Sequence, residues 1–300
     1  MDIANKISKL KKERQAIILA HNYTVPAVQD IADFVGDSLE LSIKAKACKA
    51  PVIVFCGVRF MAETAKILSP HSTVLHPSPH AGCPMADMAS AEAVREYKRE
   101  HPETILVAYV NTTAATKTVV DICCTSGNAE RVIASVPADK EIMFLPDANL
   151  GSNLARKLGR PLKLWPGFCP PHNKILPETV QEARQKHPQA TVLVHPECRP
   201  AVVELANHAL STGGMLKFVR ESSQKSFIIG TESGLIYRMQ QENPDKEFFA
   251  LSPEIVCPNM KKITLESVLF ALEDMAPAVE LDRETLEKAR LPIERMLELA

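Results

Sequence analysis

Residues 15–38 read QAIILAHNYTVPAVQDIADFVGDS, and the same plan returns as TILVAYVNTTAATKTVVDICCTS at 104–126 and ATVLVHPECRPAVVELANHALST at 190–212. Each copy opens with a short apolar run rich in Ile, Val and Leu. Such a run, bounded by polar residues, reads as a strand buried on both faces of a parallel sheet. A polar triplet ends each run: His21-Asn22-Tyr23, Tyr109-Val110-Asn111 and His195-Pro196-Glu197. Helical spacing follows, with Val28, Ile31, Ala32 and Val35 in the first copy and Val202, Leu205, Ala206 and Ala209 in the third. Pro26 and Pro200 each lie five residues after a strand-end His, where proline suits a first helical turn. A hydroxyl residue, Ser38, Ser126 or Thr212, is expected to close that helix.

Other residues keep the same beat. His21, Tyr109 and His195 are spaced by 88 and 86 residues, as are Ser38, Ser126 and Thr212. Cys83-Pro84, Cys169-Pro170 and Cys257-Pro258 are spaced by 86 and 88. Three sets in register indicate one domain used three times. Second strands are expected at 52–56, 142–145 and 227–230, helices at 61–68 and 152–158, and third strands at 73–75, 161–164 and 247–249. The order β-α-β-α-β, then Cys-Pro, then another helix, predicts an α/β protein of three similar doubly wound, three-layer domains. The expected divisions are 1–100 with an N-terminal helix, 101–187, and 188–300 with a C-terminal helix. Ligands in such sheets bind beyond the carboxyl ends of the strands. The polar triplets and the cysteine loops should therefore share one central crevice.

Bulk composition narrows the classes. At 46% hydrophobic and 24% charged, the chain is an ordinary globular protein. Thirty-five basic side chains against 36 acidic ones leave no electrostatic footprint for nucleic acid or an anionic membrane. The amphipathic, charged start MDIANKISKLKKERQ fits neither a signal peptide nor a spanning helix, so a cytoplasmic location is expected. Thiols stay reduced there, and the eight cysteines need another explanation than disulfides.

Three loop cysteines, each followed by proline and each one repeat apart, are the right number to hold an iron–sulfur cluster with one iron left open. Proline commonly follows a cluster-ligating cysteine. A structural zinc site would want a fourth ligand and a tight C-x₂₋₄-C pair, and the chain has no C-x-x-C. Cys48, Cys56 and Cys198 have no counterparts in the other copies, and Cys123-Cys124, placed on the second-copy helix, are expected to pack in the core, a vicinal redox pair being the alternative. Small residues around the three hydroxyls, such as Gly36-Asp37-Ser38, Ser126-Gly127-Asn128 and Ser211-Thr212-Gly213-Gly214, suggest anion binding at helix starts. Lys262 lies close enough in sequence to Cys257 to reach an anionic ligand.

Together, LAHNY (19–23), DIADFVGDSL (30–39), FMAE (60–63), CPMA (83–86), YVN (109–111), TSGNA (125–129), HPE (195–197), STGGM (211–215) and CPNMK (257–261) resemble quinolinate synthase over essentially the whole chain. The resemblance implies three α/β domains around a pseudo-threefold axis with a [4Fe-4S] cluster at the centre, one per chain. It implies a transferase of NAD biosynthesis that condenses iminoaspartate with dihydroxyacetone phosphate to quinolinate, phosphate and water, with a functional link to the enzyme supplying iminoaspartate. Cluster ligands fall on Cys83, Cys169 and Cys257. Substrate contacts fall on the hydroxyls Ser38, Ser126, Ser211 and Thr212, on His21, Tyr109, Val110 and Asn111, and on His195, Pro196 and Glu197. Tyr23 and His172 match further positions linked to the chemistry. Some members carry a C-x-x-C at the third cysteine; here Cys257-Pro258-Asn259-Met260 lacks it, so a thiol switch is not expected.

An iron with a free coordination position is a Lewis acid. Acid–base work suits His21, His195 and Glu197, with Glu197 the leading proton shuttle and Tyr23 and Tyr109 as orienting donors. Two other readings share the cysteines. A different open-iron hydro-lyase would release no phosphate, and a non-catalytic iron–sulfur sensor would tolerate loss of Glu197 and His195.

Overall fold

In a computed structural model describing residues 2–300, the three apolar runs become central strands of three separate four-stranded parallel sheets. The first holds β1 (Ala16–His21), β2 (Phe34–Gly36), β3 (Val52–Cys56) and β4 (Thr73–Leu75) in the order β2-β1-β3-β4. The second holds β5 (Ile105–Tyr109), β6 (Ile122–Cys124), β7 (Ile142–Leu145) and β8 (Lys163–Leu164), and the third β9 (Thr191–Val194), β10 (His208–Ala209), β11 (Ser226–Gly230) and β12 (Glu247–Ala250). Both repeat that order, as β6-β5-β7-β8 and β10-β9-β11-β12. The order reverses beside the first strand of each sheet, and the crevice at that switch point is where doubly wound sheets bind ligands.

Each sheet has one strand more than the sequence reading foresees. The expected three-turn helix is only Pro26–Ile31 in the first copy, Ala114–Lys117 in the second and Pro200–Leu205 in the third. The chain then turns into β2, β6 and β10. A polar side chain makes each turn. Asp33 Oδ2 accepts the Ile18 N–H at 2.7 Å, Asp121 Oδ2 that of Leu106 at 2.8 Å, and Asn207 Oδ1 that of Val192 at 2.9 Å. The same three residues donate their own N–H back to the Ile18, Leu106 and Val192 carbonyls. Apolar residues on a short helix and a following two- or three-residue strand mimic one longer amphipathic helix, which is why the pattern misleads. Cys123 and Cys124 accordingly lie on strand β6, both buried.

The hydroxyls consequently lie near the start of the following helix instead of closing the preceding one. Ser38 is the first residue of the helix Ser38–Ala47, where Asp37 and Glu40 form a capping box. Thr212 is the first residue of Thr212–Glu221, capped by Ser211. Ser126 precedes the helix Ala129–Ser135.

One core runs between the first two sheets, joining Leu19 and Phe55 to Val107 and Phe144, and Cys83, Cys169 and Cys257 pack against it. Burying a side chain such as Phe144 contributes roughly 1.5–3 kcal/mol. The C-terminal helices leave the third sheet. Helix Leu265–Asp274 covers the first sheet, placing Val268, Ala271 and Leu272 on Ile18, Ala20 and Val54. Helix Arg283–Glu298 covers the second, with Ala289, Ile293 and Met296 on Leu106 and Ala108. Among the described residues no helix is long and apolar enough to cross a membrane.

Candidate active site

The carboxyl ends of β1, β5 and β9 converge on one cavity of about 90 Å³. Its lining includes His21, Tyr109 and His195 from the three strand ends, and Cys83, Cys169 and Cys257 from the three Cys-Pro loops. Tyr23, Asn111, His172 and Glu197 join them, with the hydroxyl residues Ser38, Ser126 and Thr212. Val110, Pro196 and Ser211 lie outside this lining. Val110 is buried with its carbonyl held by Lys117, the Pro196 carbonyl accepts from Asn153, and the Ser211 hydroxyl accepts the Gly214 N–H.

Glu197 is the hub. Its Oε1 accepts from the Tyr109 hydroxyl at 2.6 Å, its Oε2 lies 2.8 Å from His172 Nδ1, and His195 Nδ1 is 3.7 Å away. Burial alone would raise its pKa, but the His195 and His172 imidazoles and the bonds from His172 and Tyr109 hold it well below the usual carboxylate range. The site therefore carries an ionised carboxylate. Burial, with the Glu197 charge behind it, pushes the Tyr23 and Tyr109 phenols well above their ordinary value, so both remain neutral donors.

The two strand-end histidines share a local geometry. The Tyr23 N–H donates to His21 Nδ1 at 3.2 Å, and the Glu197 N–H to His195 Nδ1 at 3.3 Å. An Nδ1 that accepts leaves Nε2 as the protonated nitrogen of the neutral ring. His195 Nε2 then donates to Ser126 Oγ at 3.2 Å. Burial first, then His195, lowers His21 to about 3, and burial first, with His172 adding to it, lowers His195 to about 4. Neutral imidazoles beside an ionised Glu197 are the resting state at neutral pH.

The hydroxyls are held across repeats. Thr212 Oγ1 accepts from Asn22 Nδ2 at 3.2 Å, and Asn22 Oδ1 accepts from Arg238 Nη1 at 2.9 Å. Gly213 beside it has no room for a side chain, since a Cβ would meet Asp37 Oδ2 at 2.6 Å. Arg238 also donates to the Val35 carbonyl at 2.7 Å, joining the third repeat to the first. Lys117, fully buried and lowered to about 8 by that burial, donates to the Val110 carbonyl at 2.8 Å and to that of Thr112. It pins the turn that presents Tyr109 and Asn111.

The cysteines fit a multi-iron group. Cys83 and Cys169 are the N-cap residues of the short helices Pro84–Asp87 and Pro170–Asn173, and Cys257 precedes the turn Met260–Lys262. Main-chain N–H groups two or three residues on point back at each sulfur: Met85 and Ala86, His172, and Asn259 and Met260. Burial pushes Cys83 up to about 12 and raises Cys169 and Cys257, so the thiols are neutral until a metal ionises them. Among the described residues, the group of His, Cys, Asp and Glu donors within 4.8 Å of one another is Cys169, His172 and Glu197, so the three sulfurs are not all that close. Two thiolates on one tetrahedral ion would sit only about 3.8 Å apart. Three thiols round one cavity, too widely set for a single ion and each met by amide donors, suit a cluster. Cys56, Cys123, Cys124 and Cys198 are buried elsewhere, and Cys48 caps a helix end.

The sequence profile of the family described as quinolinate synthetase A protein matches residues 5–298. The quinolinate synthase of Desulforudis audaxviator is 53% identical over 303 residues, covering 100% of both chains. The chain belongs to the quinolinate synthase family. Those of Geobacter metallireducens and Thermodesulfovibrio yellowstonii are each 50% identical over 295 residues, covering 98% of this chain and 97% of theirs.

Against that family background, Glu232 of the cavity lining and several residues behind it escape a motif-based reading. Asp147 Oδ2 accepts the Cys169 N–H at 3.2 Å, and Glu232 Oε1 accepts the Cys257 N–H at 3.3 Å. Both acids follow a matching strand, β7 or β11, by two residues, so the repeat register was the signal that could have found them. Glu232 also pairs with Lys261 Nζ at 2.8 Å, and Lys261 donates to the Tyr23 carbonyl at 2.7 Å. Gly234 permits this, because a Cβ there would lie 2.8 Å from both Glu232 Oε2 and Lys261 Nζ. Lys261 is thus the lysine that turns inward; Lys262 bonds the His80 carbonyl and Asn259. Thr231 bridges His172 Nε2 at 2.8 Å and the Tyr23 hydroxyl at 2.5 Å.

Proposed function

We propose that this chain condenses iminoaspartate with dihydroxyacetone phosphate to give quinolinate, phosphate and water, as an enzyme of NAD biosynthesis. Cys83, Cys169 and Cys257 would hold a [4Fe-4S] cluster, which when bound supplies an iron with a free position as Lewis acid. The repeats, divided near residues 100 and 187, are taken to surround the cavity about a pseudo-threefold axis. A cytoplasmic location and a functional link to the enzyme supplying iminoaspartate follow from this reading.

The observation that carries the proposal is the setting of Glu197, an ionised carboxylate bonded to a neutral phenol and an imidazole and facing the cysteine loops. Carbon–carbon bond formation, imine closure and dehydration all require protons to be moved at carbon and oxygen. Glu197 takes and returns them, with His172 and Tyr109 in hydrogen-bond reach. Tyr23 donates to the intermediate's oxygens and His21 offers an Nε2–H donor, while Tyr109 and His195 donate there on releasing Glu197 and Ser126. Hydroxyls and free amides at Ser38, Ser126 and Thr212 receive the phosphate and carboxylates, and the Asn111 amide adds a contact. Val110, Pro196 and Ser211 shape the turns behind these groups.

Glu197→Gln keeps the size of the side chain and removes its titratable group. Turnover of the cluster-loaded variant should fall ~10²–10⁴-fold, the usual contribution of a general acid–base residue, with the visible spectrum unchanged. Near-normal turnover would move the proton shuttle to a histidine and overturn the assignment.

A further inference from the structure

Cys169, His172 and Glu197 form a second kind of site. His172 Nδ1 is 3.1 Å from Cys169 Sγ and 2.8 Å from Glu197 Oε2, and all three ligating atoms lie within 4.8 Å of one another. The pair Cys169 and His172 comes from one turn, the N-cap and third residue of the helix Pro170–Asn173. Glu197 comes from the strand end of the third repeat. Thiolate, imidazole and carboxylate are ligand types that a borderline divalent ion accepts in a three-ligand site with one position open. Metal bonds of ~2.0–2.3 Å place such donors roughly 3.3–3.7 Å apart, so small shifts of the three side chains admit the ion.

Supporting groups are already built. His172 Nε2 bonds Thr231 Oγ1 at 2.8 Å, which holds the ring with Nδ1 toward the thiol and the carboxylate. The Tyr109 hydroxyl orients the other oxygen of Glu197. Outer partners of this kind fix ring orientation and ligand basicity in metal sites. The His172 and Glu197 side chains are only 2% and 5% exposed, yet both line the cavity, which gives an ion its way in.

We propose that whenever no cluster engages Cys169, this chain binds one zinc-like divalent ion through Cys169 Sγ, His172 Nδ1 and a Glu197 oxygen. An ion there occupies one of the three thiols that cluster assembly needs, so zinc and cluster compete for the chain. The binding step stands apart from the quinolinate-forming reading; the competition rests on the cysteine assignment.

Cobalt(II), a spectroscopic stand-in for zinc, added anaerobically to the full-length, cluster-free chain tests this. One cobalt per chain should bind, with tetrahedral d–d bands and a thiolate-to-cobalt charge-transfer band. Cys169→Ser should lose that band and His172→Gln the tight binding. Thr231→Val should weaken affinity by about 10–100-fold, as loss of an outer partner does. Cys83→Ser and Cys257→Ser should keep both stoichiometry and band. Zinc added before iron and sulfide should lower the iron taken up by the wild-type chain. Absence of bound cobalt, an intact band in Cys169→Ser, or a band lost in folded Cys83→Ser or Cys257→Ser would overturn the proposal. The last two variants decide the matter even if Cys169→Ser or His172→Gln fails to fold.

Discussion

Glu197 and the two strand-end histidines divide the charge of the site between them by environment alone. Burial strips the imidazoles of their protons, and the neighbouring His195 and His172 rings, with the bonds from His172 and Tyr109, keep the carboxylate ionised. That division has a stability cost in acid. His21 titrates at about 3 in the fold against an ordinary value of 6.5, and His195 at about 4. A base whose folded value is depressed leaves stability untouched above 6.5. As pH falls below that value the unfolded chain takes the proton first, and the fold loses ground until the native value is reached. Each histidine should therefore cost about 2 kcal/mol at pH 5 relative to pH 7. Urea midpoints of the cluster-free chain at the two pH values should show this, and His21→Gln should recover about half of the drop. An unchanged midpoint in wild type would mean that the histidines are already charged in the fold.

Helix starts carry the anion-binding part of the account. Thr212 opens a ten-residue helix, and its hydroxyl is aimed by Asn22, which Arg238 holds in turn. Thr212→Ala should raise KM for dihydroxyacetone phosphate more than it lowers turnover, by about tenfold or more, the worth of one hydrogen bond to a charged group (~1.5–3 kcal/mol). Arg238→Met should move KM the same way by less, since it reaches Thr212 only at one remove, through Asn22. Equal losses of kcat and kcat/KM in Thr212→Ala would assign the hydroxyl to the transition state instead. Elements of this size mark the limit of what the sequence shows. The central strands were legible because their apolar runs are continuous. Strands β2, β6 and β10 were not, because two or three residues present no period of their own. The polar hinge at Asp33, Asp121 and Asn207 repeats with the cysteines, but its meaning lies in a backbone hydrogen bond that no side-chain pattern reveals.

At the scale of the molecule, threefold repetition made the site readable. Residues too ordinary to notice singly became a set once their spacing matched, and the structure gathers three cysteines, two histidines and a tyrosine from those sets at one cavity. What repetition did not disclose is the part that breaks the symmetry. Glu197 and His172 each come from one repeat alone, Thr231 joins His172 to Tyr23, and the C-terminal helices return to the first two sheets. Among the cysteines the repeat makes a sharp division. Cys83→Ser, Cys169→Ser and Cys257→Ser should each lose cluster iron on anaerobic reconstitution. Alanine at Cys48, Cys56, Cys123, Cys124 or Cys198 should leave iron near the wild-type value, alanine avoiding an unpaired hydroxyl in the core; full loading in any of the first three would break the assignment. The most direct test of the whole account is to supply the reconstituted chain anaerobically with iminoaspartate and dihydroxyacetone phosphate and to quantify both products. Quinolinate and phosphate should appear in equal amounts, dependent on both substrates. Phosphate without quinolinate, or no turnover by a fully loaded chain, would contradict it.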